Sequence, residues 1–370
     1  MRILIMAPEM VPYAKTSEVA NVVAQLGLAL RRLGHDVRMA MPRYKHIDHN
    51  GFGLRTCVDA LDVPMHERLG QATVLSAQTA EGLPIYMIDN PRYFGEHVGS
   101  MYIHDADPFI FFCRATLEML KHPQINWRPD VVHCHDWQTA LVPNLLKTIY
   151  NQDPFLGQIA SVFTIHRISH QGIFGYRTLE AAGIKQYGFI YYSGIADLDE
   201  LVDLLGRGVY YCDAITTVSE RYAREIQTPE FGEQLDPLLR DRHEQLFGIR
   251  NGIDVEAFDP ARDERIAAQY DLDTLEKRRL NKAALQRFAG LEEKPDAPLI
   301  AMITRLTDIK GLDLVLDIVE LLIQHLGGQL FIMGTGEYRH HERLSEQSRM
   351  HKGHLSLNLP FDETVQHQVF

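Results

Sequence analysis

The chain reads as an α/β protein of two doubly wound domains, the second of them incomplete. Three observations predict this. Short apolar runs alternate with helical patterns from the first residue, the pattern resets around Gly248–Asp254, and the second series halts after three or four strands. At 370 residues the chain also exceeds one ordinary domain and suits two.

Ile3–Ala7 is a short continuous apolar run, as expected of a strand buried on both faces. Val19, Val22, Val23, Leu26, Leu30 and Leu33 recur at helical spacing, and Gly34 stands where a helix-ending glycine belongs. Asp36–Met41 is the next strand, so a βαβ unit opens the chain. Further strands are expected at Ile85–Ile88, Val131–Cys134, Ser161–Ile165 and Ala214–Val218. Helices are expected at Thr139–Tyr150 and at Glu220–Ile226, the latter with Ser219 as its cap. Residues 255–297 read as helical and highly charged. Strands Leu299–Ile303, Gln329–Met333 and Leu355–Leu359 then alternate with helices Leu312–Leu326 and Tyr338–Met350, and a last helix starts at Asp362. The expected domains are 1–247 and 248–370. A doubly wound domain has about five or six strands, so the second falls short.

A net charge of −12 argues against a nucleic-acid partner, which needs a basic stripe. An anionic substrate must instead meet locally placed Lys and Arg. The four cysteines form no C-x-x-C pair and fit reduced, buried thiols in a cytoplasmic protein. No apolar run reaches the length of a membrane span or a signal segment.

In open parallel sheets ligands bind beyond the carboxyl ends of the strands, so residues just after each strand are the candidates. Lys15-Thr16-Ser17-Glu18 precedes the first helix, where a phosphate could dock on free N–H groups, or where Ser17 simply caps the helix. His133-Cys134-His135-Asp136-Trp137 could hold a sugar through carboxylate, imidazole and indole; a zinc reading of H-x-H lacks a fourth ligand at recognisable spacing. His166 ends another strand, followed by His170, Gln171 and Gly172. Arg305 and Lys310 flank a loop to a helix start, well placed for a diphosphate or else a solvated basic loop. Gly334 and Gly336 either let backbone approach a nucleotide or make a tight turn. The DxD pairs Asp105/Asp107, Asp197/Asp199 and Asp271/Asp273 read as solvated faces, not a metal site.

Taken together, MAPEMVPYAKT, HCHDWQTAL, VFTIHRISHQGIFG, YYCDAITTVSERYAREI, NGID, NKAALQRFAGL, TRLTDIKGLDLVL and MGTGE, in this order, resemble the bacterial glycogen synthase and plant starch synthase family. The resemblance implies a GT-B fold: two Rossmann-like domains with the active site in the cleft between them, the first on the acceptor side and the second on the nucleotide-sugar side. It implies transfer of glucose from ADP-glucose to the non-reducing end of an α-1,4-glucan, with retention and with neither metal nor cofactor. By motif, Arg305 and Lys310 resemble the R-x4-K pair that holds the donor diphosphate, and Lys15 the lysine of K-T-G-G. Asp136 and His166 resemble the glucose-lining aspartate and histidine. Gly334 and Gly336 resemble part of the nucleotide loop.

Three departures stand out. K-T-G-G is here Lys15-Thr16-Ser17-Glu18, which puts a carboxylate where the family binds an anion. Two like charges about 4 Å apart cost roughly 4 kcal/mol at an effective dielectric of about 20. The family's nearby aspartate is Asn21, and the asparagine after the histidine is Arg167. The family's later glutamate-bearing segment does not occur before Phe370. Glu18 and the early end together predict little or no glucan elongation by this chain alone, with a glucan-binding paralogue or a truncated gene product as the alternatives.

Overall fold

The computed structural model describes residues 1–66, 68–95, 105–188, 190 and 201–370. The chain divides into two compact units, Met1–Gly252 and Ile253–Phe370.

The first unit carries strands β1 (Arg2–Met6), β2 (Asp36–Pro42), β3 (Arg55–Met65), β4 (Arg68–Gln78), β5 (Pro84–Asp89), β6 (Val131–His135), β7 (Ala160–Ile165), β8 (Ile173–Gly175), β9 (Leu201–Asp203), β10 (Ala214–Thr217) and β11 (Leu246–Gly248). Nine of them form one sheet in the order β11-β10-β7-β6-β1-β2-β5-β4-β3, and β8 and β9 pair separately. The sheet is parallel from β11 to β5, while β4 runs antiparallel to both its neighbours. The apolar run of β1 sits in the middle of the sheet, with Leu4, Ile5 and Met6 wholly buried. Helix Val19–Arg32 packs on the neighbouring β2, with Gly27 against Met39, and ends at Gly34, whose φ of 88° and N–H bond to the Arg31 carbonyl (2.9 Å) confirm the glycine stop. Ser219 caps helix Glu220–Glu225 by accepting from the Tyr222 N–H at 2.9 Å.

The second unit holds β12 (Leu299–Ile303), β13 (Gln329–Met333) and β14 (Leu355–Asn358), parallel and in that order. Every residue of β13 is buried. Burying its Leu330, Phe331, Ile332 and Met333 contributes about 1.5–3 kcal/mol each. Helices Leu312–Gln324 and Tyr338–Met350 connect the strands, and Asp362 caps the last helix, Glu363–Val369, by accepting from the Val365 N–H at 3.1 Å.

The helical expectation for 255–297 fails over much of its length. Only Arg278–Phe288 is an α-helix, entered through a 3₁₀ turn at Leu272–Lys277. Upstream, the carboxylates of Asp254, Asp259 and Asp263 accept N–H bonds from Glu256, Ala257, Ala261 and Arg265. Such local bonds compete with the helix ladder and fold the segment into turns.

Candidate active site

β6 and β7 pair in parallel with His135 beside Thr164, so the residues leaving their carboxyl ends converge. Asp136 and His166, expected from sequence as site residues, are brought together there. The Asp136 Oδ1 accepts from the His166 backbone N–H at 2.9 Å, and the Asp136 N–H donates to the Thr164 carbonyl at 3.0 Å. Asp136 has φ 57° and ψ 179°, a region occupied almost only by glycine, at a cost of order 1–3 kcal/mol. Burial raises the Asp136 carboxyl above the usual range, opposed by His166, its backbone N–H, and His170.

A file of imidazoles lines this edge. The rings of His133 and His135 stack with centroids 4.3 Å apart, while those of His135 and His166 meet end to end, nearly coplanar, with centroids 5.1 Å apart. Nδ1 of His135 and Nε2 of His166 share a hydrogen bond of 2.8 Å. Nε2 of His133 lies 2.6 Å from the Thr164 hydroxyl, itself 2.6 Å from that of Thr216. Burial, with His166 nearby, lowers His133 to about 4, and burial likewise pushes His135 well below the ordinary value, so both rings are neutral at pH 7.

Trp137 departs from the expectation that its indole would pack on a sugar. It is buried, with Phe109 edge-on at 5.1 Å and Phe174 at 5.2 Å. Gly172 lies against it: a Cβ there would stand 2.5 Å from the indole, and φ is 65°. The indole therefore fixes the loop that follows His166 and offers no face to a ligand.

The loop before the first helix is held from beneath. Glu9, 1% exposed, accepts from the Thr16 and Ser17 N–H groups (2.5 and 3.2 Å), from the Thr16 hydroxyl (2.9 Å) and from the Ser17 hydroxyl. Ser17 Oγ accepts from the Val19 N–H at 3.1 Å. Lys15 is exposed. Glu18 is exposed too, and its carboxylate accepts from the Asn21 amide at 3.0 Å. Two of the departures from the family motif thus bond to each other at the surface. Sequence reasoning missed Glu9; its one signal is a carboxylate set in the otherwise apolar stretch Met6-Ala7-Pro8-Glu9-Met10.

In the second unit, Arg305 and Lys310 leave β12 exposed, and neither side chain has a hydrogen bond or ion pair among the described residues. Lys310 closes a 3₁₀ turn, Asp308–Lys310, and Gly311 (φ 69°) turns the chain into helix Leu312–Gln324. Gly334 and Gly336 knit the loop after β13 to the loop bearing Arg305. A Cβ at Gly334 would strike the Thr304 carbonyl, and one at Gly336 that of Leu306. The Leu306 N–H donates to Thr335 O, and the Glu337 N–H to Leu306 O, both at 2.9 Å. The glycines are therefore required by loop-on-loop packing, which sets where Arg305 stands.

Among the described residues, Asp308, Glu337 and His340 are the one acidic and histidine group close enough to share a cation. Arg339 bonds both carboxylates and already supplies the positive charge. Two of the three DxD pairs make local caps: Asp105 Oδ1 accepts from the Asp107 N–H (3.0 Å), and Asp271 Oδ1 from the Asp273 N–H (3.1 Å) and the Thr274 hydroxyl (2.8 Å). Asp197 and Asp199 lie outside the described residues.

Residues 2–241 match the family profile described as starch synthase catalytic domain. The glycogen synthase of Desulforudis audaxviator is 37% identical over the whole of this chain and 74% of its own length; that of Moorella thermoacetica is 38% identical with the same coverage. The chain thus spans about three quarters of these relatives. The catalytic domain of starch synthase IV from Arabidopsis thaliana, solved bound to ADP and acarbose, superposes with a TM-score of 0.87 at 31% identity over the whole chain and 76% of that structure. The fold is accordingly GT-B, and with both the profile and the full-length relatives in agreement, the chain belongs to the starch and glycogen synthase family of glucosyltransferases.

Proposed function

We propose that the chain moves glucose from ADP-glucose to the non-reducing end of an α-1,4-glucan with retention, as a cytoplasmic enzyme. The observation that carries this reading is the junction of Asp136 and His166: a half-buried carboxylate in a glycine-type backbone conformation, bonded to the histidine at the sheet's carboxyl edge. Strain persists where surrounding structure over-determines it, and such positions cluster at working sites. In this reading Asp136 and His166 hold the hydroxyls of the glucosyl unit. Arg305 and Lys310, cations with no protein partner among the described residues, take the diphosphate and stabilise the charge that grows as it leaves. Gly334 and Gly336 keep Arg305 in place from behind, and Lys15 adds a further cation beside a helix start. The ADP in the starch synthase IV structure supports the adenine nucleotide, and the acarbose there supports a glucan acceptor.

No helix among the described residues is long and apolar enough to cross a membrane. The Glu18–Asn21 bond turns the carboxylate toward a partner at the surface, which weakens the case for Glu18 repelling the donor. Incorporation of labelled glucose into glycogen, from ADP-glucose and UDP-glucose in parallel, tests the reading, with Glu18→Gly alongside. Preferential use of ADP-glucose is expected, with Glu18→Gly changing the rate less than threefold. Preference for UDP-glucose would overturn the donor assignment; rescue from inactivity by Glu18→Gly would restore the repulsion.

A further inference from the structure

His135 is 1% exposed, and its Nε2 has no hydrogen-bond partner. Its Nδ1 lies 2.8 Å from Nε2 of His166. One proton sits between those two nitrogens, and the orphaned Nε2 decides which ring owns it. A neutral imidazole has a single N–H. If His135 kept it on Nε2, a buried donor would face no acceptor, a situation that interiors almost never show. If it sits on Nδ1, only a lone pair goes unmet, which interiors tolerate more readily. Burial and the neighbouring rings of His133 and His166 hold His135 uncharged, so a second proton is not available to satisfy both sides.

We infer that His135 is a positioning residue: it donates its Nδ1–H to Nε2 of His166 and so fixes neutral His166 as the Nδ1–H tautomer, which makes the remaining nitrogen of His166 a hydrogen-bond donor to a sugar hydroxyl. A neutral histidine side chain free in water favours the opposite tautomer, with the proton on Nε2. The pair therefore inverts an intrinsic preference, and does so before any ligand arrives. His166 is also held by its backbone N–H on Asp136, and its ring lies close to the plane of His135, as an in-line bond between ring nitrogens requires. None of the hydrogen bonds among the described residues engages its Nδ1. A ligand atom there must accept, so a hydroxyl oxygen fits and an N–H or ammonium group does not. The sugar clause rests on the glucosyl role proposed above; the tautomer does not.

Long-range 1H–15N correlation spectra of the full chain labelled in histidine nitrogen, recorded at pH 8 without substrate, read the tautomer directly, with His166 assigned through His166→Gln. A protonated Nδ1 and a bare Nε2 are expected. In His135→Phe, which keeps an aromatic ring against His133 and removes the donor, His166 is expected to return to the Nε2–H form. Glucosyl transfer is then expected to lose about tenfold in kcat/KM, the effect of one hydrogen bond. An Nε2–H or doubly protonated His166 in the unmodified chain overturns the inference, whether or not the variant folds. So does a tautomer unchanged in His135→Phe, or a tautomer that switches with no loss in kcat/KM. Because the spectra need no substrate, a wrong donor assignment does not alter what they say of the tautomer.

Discussion

Replacing Asp136 by glycine and, separately, by alanine isolates the backbone strain at the candidate site. Both changes delete the carboxylate, so both lose the acceptor for the His166 N–H equally. They differ only in what the backbone at φ 57°, ψ 179° demands. Alanine there retains a strain of about 1–3 kcal/mol, while glycine occupies the same region freely. Against this stands the greater freedom glycine gives the unfolded chain, about 0.5–1 kcal/mol. The balance leaves the glycine variant more stable than the alanine variant by roughly 1 kcal/mol, the reverse of the usual order. Urea unfolding followed by tryptophan fluorescence suits the comparison, because the chain's two tryptophans, Trp127 and Trp137, both lie in the first unit. An alanine variant as stable as the glycine variant, or more so, would refute the strain and with it the claim that Asp136 is held in place at a cost.

The Asp136 carboxyl, raised by burial, has a defined pH signature. For an acid whose folded value lies above its unfolded one, stability is greatest below the unfolded value, near 3.8, and falls as pH rises through the folded value. Asp136→Asn, which keeps an acceptor for the His166 N–H, should therefore exceed the parent in stability at pH 7 and match it near pH 3; an advantage that persists into acid contradicts the assignment. Gly334→Ala drives a methyl into the Thr304 carbonyl at φ 153° and should destabilise the second unit by about 2–4 kcal/mol while raising the donor KM, since Arg305 rides on the displaced loop. An unchanged KM would separate the glycine from the placement of Arg305.

Much of the site was legible because strand ends are legible. Continuous apolar runs gave β1, β6, β7, β12 and β13 nearly to the residue, and the positions just beyond them hold Asp136, His166, Arg305 and Gly334. The β3–β4 arm escaped notice because two register shifts break its alternation. Helix Asp107–Lys121 escaped because it is buried on almost every side and shows no polar stripe to mark its period. Within the site, spacing could not reveal that Trp137 turns into the core, since an indole after a strand is equally consistent with both fates. The contact between His135 and His166 depends on the pairing register of β6 against β7, which no local pattern encodes. The role of Gly334 and Gly336 as loop spacers depends on carbonyls contributed by a segment about thirty residues away.

The sheet order also carries a consequence for how the protein is made. β1 lies near the middle; β2 and β5 extend one flank before residue 90, and β6, β7, β10 and β11 then join the other flank in the order in which the chain supplies them. Each strand of the second flank lands on an edge already present, and β5 alone joins two strands made before it, β2 on one side and β4 on the other. The first unit is a single stretch that leaves the ribosome before the second, and at about 5–20 residues per second it gains several seconds alone. Parallel sheets assemble slowly, because distant segments must meet before contacts reward them. Synthesis from one end to the other thus acts as a timetable that this strand order is able to follow, whereas refolding the complete chain from denaturant releases all the strands at once and forfeits the sequence of arrivals.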